Sequence, residues 1–415
     1  MWNKMNKLAA VMAAILMASI PVPASADSCK LSVNPSSGQG EIIFTPDDIN
    51  RIARGGVVDA SISTYRAGSN TFWILPTSNI IKTGLYVRHS VLRGQNLKTA
   101  VAVENYGQSE LFSNSRTAPA NAVKGYKWIT NTYQTADGVL AFVHMEYAGP
   151  DDYFGMPCMM TVDGDRICWP GHSKIGLAWM ETPPGWNGAL RFTFLGAIAT
   201  YAAKQPHFNV EGTPFTISDD RGEKYLNIWF SDKNSDEQTA HIAWARAPLN
   251  EVLSAARKGK TTTWLKYNDG RWESAVDGNS SSVIPPAPTV ADIDKRISAG
   301  RVIVQSDAVR QRETGRYFLS AYTLEEGGIA SHFAFYESCD GHDWTFNTIS
   351  NQESPDPRSG WTYLSLVDDD GTDNGEIAGS FDLLSGYIFG GKHQRRIERF
   401  HISTAGDCAC PAQDR

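Results

Sequence analysis

A histidine and a carboxylate share one face of a short apolar segment. In Val139-Leu140-Ala141-Phe142-Val143-His144-Met145-Glu146-Tyr147, a period of two puts Phe142, His144 and Glu146 on one side. Val143, Met145 and Tyr147 fall on the other. An imidazole and an acid ending such a strand must be hydrated, paired or functional. A carboxyl group kept partly dry holds its proton at neutral pH, as a general acid must. The bland reading is that Glu146 anchors the following loop through backbone hydrogen bonds. Asp59 lies in Val57-Val58-Asp59-Ala60-Ser61-Ile62-Ser63, where alternation places it with Ser61 and Ser63, away from Val58, Ala60 and Ile62. Asp232 follows Leu226–Phe230 and opens a polar loop, a position that suits either chemistry or a turn.

Positioning these groups falls to strands. The chain has 415 residues, 41% hydrophobic and 11% aromatic, with 36 Gly and 20 Pro, a composition that excludes a disordered tail and a coiled coil. Helical periodicity is confined to Pro248–Lys258 and Ala291–Ser298; the rest reads as short strands between turn residues. One pattern recurs: an aromatic strand, a second strand, a polar turn, then Trp or Phe. The aromatic strands begin near positions 71, 139, 225, 317 and 361. Such recurrence predicts an all-β, five-bladed β-propeller, with six blades or a β-sandwich as alternatives. In the second unit the spacing between strands is lengthened by Ala148–His172, which holds Cys158, Cys168 and Trp169.

Residues 1–26 read as a signal peptide: Lys4 and Lys7, an apolar run from Leu8 to Ile20, then Ala24-Ser25-Ala26. The expected mature chain is one domain, 27–415, exported to the periplasm or the extracellular space as a monomer without membrane insertion. Export makes the six cysteines candidates for disulfides. Cys158 and Cys168 flank an Asp163-Gly164 hairpin signal, and Cys29 has Cys408 or Cys410 as a partner across the termini. A net charge of -7 excludes general nucleic-acid binding. The acidic run Asp368–Glu376 offers oxygens of the kind calcium takes, but Phe381 stands where an EF-hand counted from Asp370 needs its last ligand. It reads as a solvated turn, and no cofactor is expected. Lys392-His393-Gln394-Arg395-Arg396 reads as edge protection.

Two resemblances follow from these segments. Ser338-Cys339-Asp340-Gly341-His342-Asp343-Trp344 resembles the Asp-box turn of sialidase-like propellers, in which Trp fills the gap between sheets. Trp128-Ile129-Thr130, the segment Val139–Tyr147, Cys168-Trp169 and Lys174-Ile175-Gly176-Leu177-Ala178 together resemble secreted five-bladed propellers of glycoside hydrolase family 43 type. The likeness is best over residues 126–270. It implies a carbohydrate site at the axis, served by three carboxylates from successive blades. On that footing Glu146 is the proton donor, Asp59 the base, and Asp232 and His144 support them. Trp128, Tyr147 and Trp169 would stack on sugar faces, and Lys174 and Arg246 would bind an anionic sugar. The other classes left open are a glycan- or protein-binding propeller without catalysis, a sialidase-like enzyme and a polysaccharide lyase.

Overall fold

The β-type runs assemble into five small sheets around one axis. The computed structural model describes residues 29–36, 39–81, 84–114, 126–147, 159–160, 166–167, 172–183, 185–199, 213–232, 234, 241–276, 278–284, 302–303, 307–323, 333–349, 359–368, 375–389, 395–406 and 408–410. The first blade contains Val57–Val58, Ser63–Ala67, Asn70–Ile81, Gly84–Gly94 and Val101–Gly107. Outward from the axis, the second contains Tyr126–Gln134, Gly138–Tyr147, His172–Glu181 and Phe192–Ala199, with Phe112–Asn114 added in parallel at its rim. The third runs from Phe215–Asp220 through Glu223–Asp232 and His241–Pro248 to a hairpin, Leu265–Asn268 and Arg271–Ser274. The fourth contains Ala308–Gln311, Tyr317–Thr323, Phe333–Ser338 and Thr345–Ile349.

The fifth blade closes the ring with both ends of the described chain. Gly360–Val367 is innermost, followed by Phe381–Ile388 and Arg395–Ala405, and Lys30–Asn34 pairs antiparallel to that last strand. Two disulfides fasten the closure, Cys29–Cys408 and Cys339–Cys410. The open choice for Cys29 thus falls on Cys408, and Cys410 ties the tail to the fourth blade. Cys158, Cys168 and Trp169 lie outside the described residues. The backbone hairpin between the two cysteines is present: Met159–Met160 pairs antiparallel with Arg166–Ile167. Residues 1–26, expected to be a leader, and 291–298, expected to be helical, also lie outside the described residues.

Aromatic side chains fill the spaces between blades, because each thin sheet can bury its faces only against its neighbours. Trp344 is buried and meets Trp229 edge-on at 5.2 Å, joining the fourth blade to the third. Its turn is closed by Asp340, whose Oδ1 accepts from the Ser338 hydroxyl and from the backbone N–H groups of His342 and Asp343, each at 2.8 Å. The Asp-box segment is therefore structural. Helix Leu249–Arg257 buries Leu249, Val252, Leu253 and Ala256 at helical spacing against the core shared by the second and third blades. In four blades the recurrent aromatic strand is the second from the axis; in the fifth it is the innermost, Gly360–Val367. That strand is buried along nearly its whole length, and so it carries the same apolar signature. No helix among the described residues is long and apolar enough to cross a membrane.

Candidate axial site between the first and fifth blades

Asp59 does not sit in a continuous strand. After Val57–Val58 the chain leaves the sheet, and Ala60, Ser61 and Ile62 are all buried, so the expected alternation breaks. Hydrogen bonding to the fifth blade explains it: Ser61 Oγ donates to Leu364 O at 3.1 Å, and Ile62 N donates to Ser365 Oγ at 2.8 Å. The segment wedges between two innermost strands and leaves the Asp59 side chain 17% exposed. Tyr363 Oη donates to Asp59 Oδ1 at 2.9 Å, and Arg395 Nη1 donates to the same oxygen at 2.8 Å. Arg395 also donates to Val58 O and stacks its guanidinium 4.9 Å from the Tyr363 ring centre. Burial alone would lower the Arg395 pKa; Tyr363 and Asp59 overcome it and push it up. Among the described residues, Asp59 Oδ2 accepts no hydrogen bond.

A second carboxylate lies deeper. Asp307 precedes the innermost strand of the fourth blade, as Asp59 precedes that of the first, and it is 1% exposed. Its Oδ1 accepts from Asn131 Nδ2 at 3.1 Å and Ala308 N at 2.9 Å; its Oδ2 accepts from Leu366 N at 3.0 Å. Asn131 also donates to Thr213 O at 2.9 Å, so one acid links the second to fifth blades. Burial pushes the Asp307 carboxyl up to about 7, against these hydrogen bonds. A raised folded pKa means that Asp307 contributes stability fully present below about pH 4 and lost as pH rises through about 7. Asp307→Asn should remove that slope. Unfolding midpoints from pH 4 to 8 test it: the wild-type advantage over the variant should shrink with rising pH, and a constant difference would refute it.

The second blade contributes less exposed groups. His144 is buried, with its ring 5.5 Å from Trp128, and Trp128 is itself 2% exposed among Ala60 and Val87. Trp128 therefore packs the first blade against the second and offers no open face. Glu146 and Tyr147 end the strand opposite Ser173 and His172; their side chains lie outside what is described. Lys174, half-buried, pairs in register with Met145, as Lys127 does on the other side. Burial pushes the Lys127 amine down to about 8. His89 joins the first blade to the second by accepting from Ile129 N at 3.0 Å, and burial lowers its pKa to about 3, which keeps it neutral.

Two sequence-selected residues lie elsewhere. Asp232 is fully buried and its Oδ2 accepts from Lys266 Nζ at 2.8 Å and from Ser280 Oγ at 2.5 Å. Its carboxylate fastens the third blade's outer hairpin. Arg246 pairs in register with Asn227, five residues along the strand from Asp232, or about 17 Å at the usual rise. There it stacks 4.2 Å from both the Tyr225 and Trp272 rings and pairs with Asp220 at 3.4 Å, at the opposite end of the blade. Conversely, the sequence reading did not select Asp307, Tyr363 or Arg395 as site residues. Arg395 belongs to the basic run read as edge protection, yet its side chain turns inward, and Arg396 stacks on Tyr387 and Phe389. The available signal was position: Asp307 repeats the placement of Asp59 before a first strand.

No protein-family model matches the sequence, and no curated protein matches it. Among solved structures, the chain is similar to the catalytic domain of Coprinopsis cinerea GH62 alpha-L-arabinofuranosidase. That match has 12% identity and a TM-score of 0.47, over 89% of this chain and 98% of the other. It is also similar to the GH43 endo-arabinanase from Bacillus licheniformis, at 12% identity and TM-score 0.43, over 89% and 96% of the two chains. The GH43_1 enzyme from Xanthomonas citri gives 12% identity and TM-score 0.46, over 89% and 92%.

Proposed function

We propose that the protein hydrolyses a glycosidic bond in a poly- or oligosaccharide bound over the axial end of the ring. Asp59 acts as the carboxylate that activates water or engages the sugar, and Glu146 as the proton donor. Cleavage builds an oxocarbenium-like cation and needs a proton at the leaving oxygen, so it calls for one ionised and one protonated acid. The observation that carries this reading is the setting of Asp59, partly exposed at the seam of two blades and held on one oxygen by Tyr363 and Arg395. That leaves Oδ2 for a water or a sugar. Tyr147 and Trp169 are the aromatic faces assigned to sugar stacking. His144 supports Glu146 from two residues back on the same strand, and Lys174, on the neighbouring strand opposite Met145, is the cation assigned to an anionic sugar. Asp232 and Arg246 have no part in this mechanism, for the first is neutralised by Lys266 and the second stacks at the far end. Two disulfides accord with a mature chain that works outside the cytoplasm.

One observation favours binding without catalysis: the Asp59 carboxylate is already engaged in an ion pair. Incubating the purified mature chain with a panel of plant and bacterial glycans, and weighing the products, separates the readings. Hydrolysis adds one water per cleaved bond. Products with a new ultraviolet-absorbing double bond would mean a lyase, and retention of glycan without product would mean a binding propeller.

A further inference from the structure

The innermost strand of the fifth blade carries a distortion that brings a side chain to Asp59. Pairing with Phe381–Ile388 slips between Thr362 and Ser365, so that Gly360–Val367 holds one extra residue. Tyr363 sits in that bulge with φ +56°, a left-handed conformation that a bulky side chain rarely adopts. Strain of this kind persists only where surrounding contacts enforce it, and it gathers at functional sites. Here the contacts are the phenol's bond to Asp59 Oδ1 and the guanidinium of Arg395 over the ring. The same bulge separates the hydrogen bonds that dock this strand on its neighbours. Leu364 O and Ser365 Oγ meet the first blade, and Leu366 N meets Asp307 of the fourth. The strand is thus pinned on both sides, and the bulge turns one side chain toward the carboxylate.

We infer that Tyr363 is a positioning residue: its strained backbone and its phenol fix the Asp59 carboxylate so that Oδ2 faces the bound ligand. This rests on the hydrolytic reading for its consequence, but not for its geometry. Tyr363→Phe keeps the ring, its stacking on Arg395 and the backbone, and removes the phenol's hydrogen bond to Asp59. With the substrate found by the glycan panel, the expected result is a fall in kcat of about 10- to 100-fold, with KM changed less than about twofold. The unfolding temperature should stay close to that of the wild type. Tyr363→Gly, which relieves the left-handed strain, should lose at least as much turnover while gaining nothing in rate. An unchanged kcat in Tyr363→Phe would overturn the assignment. If the wild type cleaves no glycan, the hydrolytic reading fails separately, and carbon-13 labelling of aspartate carboxyls decides the positioning claim. The Asp59 resonance at pH 8 should move in Tyr363→Phe, whereas an unmoved resonance would refute the contact.

Discussion

Asp59→Asn should slow glycosidic cleavage about a thousandfold while leaving the ring intact. The amide oxygen can still accept from Tyr363 Oη and Arg395 Nη1, which now bond to Asp59 Oδ1 at 2.9 and 2.8 Å. What disappears is the charge and the ability to take a proton from water. A thousandfold corresponds to about 4 kcal/mol of transition-state stabilisation, within what one acid–base group supplies. Arg395 then loses its counter-charge in a largely buried setting, but it keeps the amide oxygen of residue 59 and Val58 O as acceptors, so the ring should stay folded. Comparing kcat/KM and unfolding temperature of the two proteins tests both halves. A variant as active as the wild type would remove Asp59 from the chemistry; a variant that fails to fold would make the residue structural.

Asp232→Ala should lower stability by about 3–5 kcal/mol. Both partners of its ion pair are 0% exposed, and Ser280 Oγ shares the same carboxylate oxygen. Removing the acid takes from Lys266 Nζ and Ser280 Oγ the carboxylate oxygen they share in a dry interior, and losing one member of a buried pair costs more than the pair itself contributes. Pairing the change with Lys266→Met should recover part of the loss, because the ammonium that Asp232 faces is removed with it. Denaturant midpoints of the two single variants and the double variant give the answer. If Asp232→Ala costs under about 1 kcal/mol, the carboxylate is not holding the outer hairpin, and a role in binding regains force.

The blades were legible because their signal is redundant. Alternation, aromatic load and turn residues repeat five times, so an error in one unit does not erase the pattern. Helix Leu249–Arg257 announced itself through apolar residues at helical spacing. The short helix Pro46–Ile52 did not, since its clearest marker is the capping box between Thr45 and Asp48 rather than a periodic face. Asp59 was visible as an acid in an apolar run, but its partners were not. Tyr363 and Arg395 lie more than three hundred residues away, and only ring closure brings them to it. Asp232 illustrates the converse. An acid at a strand end looks the same in sequence whether it faces a ligand or a buried lysine, and Lys266 is hidden in a different strand. The alternation argument failed at Ala60–Ile62 because side-chain hydrogen bonds to a neighbouring blade, rather than sheet pairing, set the local geometry.

The most direct test of an axial carbohydrate site is the crystal structure of Asp59→Asn with a bound oligosaccharide from the responsive glycan. The account predicts a sugar ring within hydrogen-bonding reach of residue 59, close to Tyr363. A sugar seated on the outer flank, for example beside Arg246 and Trp272, with residue 59 untouched, would contradict it.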